Sequence, residues 1–130
     1  IVAQIGLGYV ILLGIGPEDT PEIARELAEK TAYLRVFEDD AGKMNLSLLD
    51  VSGEAIVVSQ FTLYADTSRG RRPSFINAAK PDLAEPLVEV FSARLREFGI
   101  ATQEGVFGAH MVVDIRNDGP VTILLELPQA

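Results

Sequence analysis

Side-chain chemistry has few places to start in this sequence. His110 is the only histidine, so a Ser–His–Asp triad would have to be built on it. It stands at the start of an alternating apolar run, where a lone histidine is more often structural. There is no cysteine, which removes thiol nucleophiles, disulfides and thiolate metal sites together. No HExxH, P-loop or GxGxxG pattern occurs. The nineteen acidic residues show no spacing that pairs two of them. The polar turn Glu38-Asp39-Asp40-Ala41-Gly42-Lys43 lacks the alternating oxygen ligands and distal glutamate of a calcium loop, so neither a metal nor a cofactor is expected. Two segments remain. Ser59-Gln60-Phe61-Thr62-Leu63 ends a buried run and releases hydroxyl, amide and aromatic groups into a long loop, a common place for an active site. Asn117-Asp118-Gly119-Pro120-Val121-Thr122 has ordinary turn chemistry, and local sequence alone favours a trans Gly119–Pro120 bond.

The elements that must position these segments follow from hydrophobic period. Ile1 to Ile5 and Gly8 to Gly14 read as strands. Thr20 is an N-cap followed by Pro21, and Ile23, Leu27 and Leu34 share one face, so a helix runs to about Arg35. Glu54 to Phe61 contains Ala-Ile-Val-Val, a buried strand. Residues 62–80 have no strong period and form a long loop, a length usually functional or disordered. Leu83, Leu87, Val90, Phe91, Leu95 and Phe98 make the stripe of a second helix that stops at Gly99. Asp82 and Glu85 stand at capping-box spacing, and Pro86 is awkward inside a helix. Met111 to Ile115 and Val121 to Leu127 alternate as two further strands. The order β-β-α-β-loop-α-β-β predicts an α+β fold with a largely antiparallel sheet and two main helices.

A chain of 130 residues fits one domain, taken as residues 1–130. No run approaches the roughly 20 apolar residues of a membrane span, and the lack of cysteine agrees with a cytoplasmic setting. The net charge of −8 argues against nucleic acid, since phosphate contacts need Lys and Arg. The charge is uneven, however: Arg69, Arg71 and Arg72 place three of the eleven basic residues within four positions.

Taken together, Ser59-Gln60-Phe61-Thr62-Leu63 and Asn117-Asp118-Gly119-Pro120-Val121-Thr122 resemble the two signature motifs of the D-aminoacyl-tRNA deacylases. Gly42-Lys43-Met44-Asn45-Leu46 and Arg72-Pro73-Ser74-Phe75 match the same family in order and separation, and the similarity runs along the whole chain. The resemblance implies hydrolysis of the ester joining a D-amino acid, or glycine, to tRNA by a homodimeric α+β enzyme. It implies a cis Gly119–Pro120 bond, with each subunit inserting that turn into its partner's active site. Backbone carbonyls there would accept hydrogen bonds from the substrate ammonium and exclude an L side chain.

The resemblance also distributes the roles. Backbone N–H groups near Phe61 and Thr62 would stabilise the oxyanion, and a substrate hydroxyl would help position water. Thr62 is either a positioning group or the rival nucleophile. Ser59 and Gln60 would shape the pocket, and Phe61 is either core or a stacking surface for the terminal adenine. Met44 and Asn117 would help bind substrate beside Gly119 and Pro120. Arg69, Arg71 and Arg72 would meet the tRNA backbone. Family members carry a further strand and turn, with a Gln–Arg pair near the active site, ahead of the segment matching Ile1; the sequence given lacks it. Two other readings use the same residues. One is a non-catalytic nucleic-acid-binding protein that depends on Arg69 to Arg72. The other is a small-metabolite-binding oligomer with its pocket near Ser59.

Overall fold

A computed structural model describes residues 1–128. Its first strand, β1, is Gly8–Leu13, and helix α1 follows at Pro21–Tyr33. A short hairpin, β2 (Phe37–Glu38) and β3 (Met44–Leu46), leads to strand β4 at Glu54–Ser59. A single 3-10 turn, Phe61–Tyr64, opens the long loop. Helix α2 is Pro81–Glu97, and strand β5 is Thr102–Glu104.

The sheet runs in the order β1-β4-β5, and both pairings are parallel. This corrects the largely antiparallel sheet expected from the sequence; only the two-stranded β2-β3 pair is antiparallel. The reason is the connections. A helix lies between β1 and β4, and another between β4 and β5, and a helical crossover returns the chain to the same end of the sheet. The antiparallel expectation leaned on the alternating segments 111–115 and 121–127. Both lie outside any ladder, and Val112 and Leu124 are 83% and 75% exposed. Alternation gives a segment two faces but supplies no neighbour to bond with. Residues 1–5 likewise form no strand. They are tied instead by side chains: Gln4 N–H donates to Gln103 Oε1 at 3.1 Å, and Gln103 Nε2 donates to the Gln4 carbonyl at 2.7 Å.

The helices form where the sequence places them. Thr20 Oγ1 accepts the Ile23 N–H at 3.2 Å, and Pro21 is the first helical residue. The face of α1 that is buried carries Ala24, Ala28, Thr31 and Ala32, so small side chains let α2 approach closely. In α2 the buried residues are Ala84, Leu87, Val88, Phe91, Ser92 and Leu95. Lys80 is the N-cap and makes no side-chain cap bond, so Asp82 lies in the first turn and does not cap. Pro86 sits inside the helix with its ring exposed. A proline there costs about 3 kcal/mol. Burying Leu87, Phe91 and Leu95, at about 1.5–3 kcal/mol each, more than offsets this. One cluster joins Leu13, Ala28, Ala55, Val57, Leu87, Phe91 and Leu95, and so locks both helices to the sheet. Tyr9 of β1 stacks on Phe37 at 5.4 Å, and burial pushes its phenol up to about 12.

Candidate active site

Parallel strands release their carboxyl ends on one side of the sheet, and that side is where open sheets of this kind bind ligands. Leu13 of β1 pairs with Ser59 of β4. The chain therefore emits Gly14-Ile15-Gly16 and Gln60-Phe61-Thr62 next to each other. Gln60 N–H continues the ladder to the Leu13 carbonyl at 2.8 Å, and the chain then coils into the 3-10 turn.

That turn packs on the β1 exit. A Cβ placed on Gly16 would lie 2.9 Å from Tyr64 Oη, and one on Gly14 would lie 3.1 Å from Tyr64 Cε2. Two bare glycines are thus what lets the turn settle there. Burial, with the charges of Asp19 and Glu126 behind it, pushes the Tyr64 phenol up.

At the start of the turn, neither the Phe61 nor the Thr62 N–H has a protein partner among the described residues. First-turn donors are orphaned by geometry, and here two adjacent ones open on solvent-exposed residues. The Gln60 side chain curls back, and its Nε2 donates to Thr62 Oγ1. Phe61 is 56% exposed and takes an edge-to-face contact from Phe75 at 4.9 Å. A core role for Phe61 is thereby excluded. Ser59 faces the other way, into a cleft of about 100 Å³ between β4, α2 and β5. Glu85, Glu89 and Glu104 line that cleft. The Glu104 charge, then burial, holds the Glu89 carboxyl above the usual range. Sequence reading missed this trio. Glu85 and Glu89 carried a signal at i,i+4 on one helical face, whereas Glu104 lies on a three-residue polar strand that has no period to read.

The arginines occupy a tied loop. Asp66 and Ser74 form a two-bond bridge, at 2.7 and 2.9 Å. Asp66 Oδ1 also accepts from the Ser68 hydroxyl and N–H, which lowers its pKa. Arg69, Arg71 and Arg72 are exposed beyond that bridge and enter no ion pair among the described residues.

The 117–122 turn is held by Asn117. Its Oδ1 accepts the Val121 N–H at 2.8 Å, and its Nδ2 donates to Thr122 Oγ1 at 3.0 Å. The Gly119–Pro120 bond is cis, as the resemblance implies and contrary to the local preference. No hydrogen bond or ring contact joins this turn, or the exposed Met44, to residues 59–63 among the described residues. Within one chain the predicted site is therefore brought together only around the β4 exit. His110 is exposed and makes no side-chain hydrogen bond, so no triad is formed on it. Asp39, in the turn considered for calcium, spends its oxygens on the Ala41 and Lys43 N–H groups and Asn45 Nδ2.

Comparison with known proteins decides the family. The family model described as D-Tyr-tRNA(Tyr) deacylase matches residues 1–126. The chain belongs to the D-aminoacyl-tRNA deacylase family. Deacylases are hydrolases, and the curated relatives carry that name. The one from Deinococcus deserti is 59% identical over 98% of this chain and 88% of its own length. The one from Roseiflexus sp. is 62% identical over 97% of this chain and 81% of its own. Among solved structures, "c-Myc DNA Unwinding Element Binding Protein" superposes with a TM-score of 0.88 at 42% identity, covering 96% of this chain and 85% of that one. A second, titled as a probable eukaryotic D-amino acid tRNA deacylase, is alike in fold alone, with a TM-score of 0.63 at 16% identity.

Proposed function

We propose that the β4 exit is where a D-aminoacyl ester of tRNA is hydrolysed. The observation that carries this reading is the pair of unpartnered N–H groups on Phe61 and Thr62, on a turn fixed by the family motif. Two adjacent free donors in this position suit the oxyanion that forms when water attacks an ester carbonyl. Donors of this kind act only as charge develops, so they accelerate the step without tightening ground-state binding.

Thr62 serves as a positioning group. Its oxygen already accepts a hydrogen bond from Gln60 Nε2, which draws electron density away from a would-be nucleophile. Among the described residues no basic side chain is hydrogen-bonded to it to take its proton. The ester is activated, and the ribose hydroxyl next to it belongs to the substrate, so a water held by Thr62 and that hydroxyl suffices as the nucleophile. The exposed face of Phe61 stacks the terminal adenine, with Phe75 steadying the ring. Arg69, Arg71 and Arg72 meet tRNA phosphates. Met44 shapes the rest of the pocket, whereas Ser59 lines the acidic cleft on the other side of β4.

The turn at Gly119–Pro120 completes the site from a second copy of the chain. It is exposed, and among the described residues no hydrogen bond or ring contact joins it to its own subunit's Ser59–Leu63 motif. Its backbone carbonyls accept from the substrate ammonium and leave no room for an L side chain, whereas glycine has none to reject. A single domain, acting on cytoplasmic aminoacyl-tRNA as a homodimer, fits these parts. The test is the release of amino acid from D-tyrosyl-, L-tyrosyl- and glycyl-tRNA. Fast release of the D and glycyl esters, with the L ester spared, is the expected result. A folded dimer that releases none of them would leave a binding protein on this fold.

A further inference from the structure

We propose that Asn117, acting with Thr122, is a positioning residue that sets the preference for D over L substrates. It does so by fixing the Gly119–Pro120 backbone, not by touching substrate. This rests on the reading just given and assigns a device within it. From residue 110 to 128 no backbone–backbone hydrogen bond is made. Across the turn itself the only hydrogen bonds among the described residues are the two that Asn117 makes, with Val121 N–H at 2.8 Å and Thr122 Oγ1 at 3.0 Å. They span Asp118, Gly119 and Pro120 like a strap. Gly119 has φ of +138°, a conformation that L side chains rarely adopt, so its carbonyl direction is not set by ordinary backbone preference. Residues 112–120 are all exposed, and packing within their own subunit does not hold the turn either.

The chemistry of the strap requires one planar group that accepts on one side and engages a hydroxyl on the other. Asparagine does both. Aspartate can too, because Thr122 can reverse its hydroxyl and donate. Chiral selection by main chain is sensitive to small displacement, since a shift of about 1 Å can cost on the order of a hundredfold. Freeing the turn therefore affects the two enantiomers unequally.

The test measures kcat/KM for D- and L-tyrosyl-tRNA with wild type, Asn117→Ala, Asn117→Asp, Thr122→Val and Thr122→Ser, each checked for its melting temperature. The D-to-L ratio is expected to fall by about tenfold or more in Asn117→Ala. It falls by a smaller factor in Thr122→Val, which keeps the Val121 bond. Asn117→Asp and Thr122→Ser hold the ratio within about threefold of wild type. A ratio unchanged in both Asn117→Ala and Thr122→Val, whatever happens to the rates, overturns the proposal while leaving the hydrolase reading intact. Wild-type enzyme that shows no D preference overturns both, and it does so before any variant is compared. If Asn117→Ala fails to fold, the Thr122 pair decides alone.

Discussion

Thr62 and Gln60 are where sequence and geometry divide the labour. The motif pointed to these residues, but not to which atom of Thr62 is spoken for. The bond from Gln60 Nε2 depends on the backbone bending after Ser59, and no residue type encodes that bend. The prediction at this scale concerns Thr62→Val. It removes the hydroxyl and leaves both N–H groups in place. The loss in kcat should be about tenfold to a hundredfold, the worth of one hydrogen bond to water in the transition state. Single-turnover hydrolysis of D-tyrosyl-tRNA measures it. A fall to the uncatalysed rate would make Thr62 the nucleophile instead. Asn117 shows the same limit of legibility. Its type marked a turn, but its two partners, four and five residues on, emerge only once the chain folds back.

At the scale of elements, both helices and the two longer strands were readable from period and caps. Thr20, Pro21 and the Leu87–Phe91–Leu95 stripe did that work. Strand direction was not readable from period at all. It depends on how the chain returns between strands, and the helices between β1, β4 and β5 held that information in the element order. β5 was invisible because Thr-Gln-Glu neither alternates in hydrophobicity nor lasts more than three residues.

The cleft between β4, α2 and β5 makes a prediction about pH. The Glu89 carboxyl is held above its ordinary range by the Glu104 charge first, then by burial, with Glu85 adding and Arg96 opposing. A raised acid binds its proton more tightly in the folded state than in the unfolded one. Stability is therefore lost as pH rises from the unfolded-state value through the folded one, and the loss is complete at neutral pH. Glu89→Gln should raise the melting temperature slightly at pH 7, by about 1–3 °C, since Glu89 itself is exposed and its repulsion is screened. The gain should vanish below about pH 4, where both states are protonated. Thermal melts at the two pH values, with and without added salt, test it. An equal gain at both would mean that packing, not charge, is responsible.

For the whole molecule, the net charge of −8 and a tRNA substrate are reconciled by geography. The three arginines stand together on one tied loop, while much of the acid lies on helix surfaces and in the cleft beside Ser59. Binding to tRNA should weaken with salt, the slope of log K against log salt reporting how many phosphates are met. Changing Arg69, Arg71 and Arg72 together to Ala should flatten that slope by up to about 3 and raise KM more than it lowers kcat. Filter binding across a salt series gives the slope, and an unchanged one would move the tRNA contact elsewhere. The exposed apolar side chains of Val112, Val113, Ile115, Ile123 and Leu124 belong to this scale too. The sequence showed their alternation, and the subunit's own packing leaves them exposed.

The bridge between Asp66 and Ser74 has one more consequence. Because the loop is cinched at its base, the path from Phe61 to Tyr64 does not depend on what is strung between Ser68 and Pro73. That stretch is a cassette. Substitutions between Ser68 and Arg71 should therefore leave the Phe61–Tyr64 turn in place.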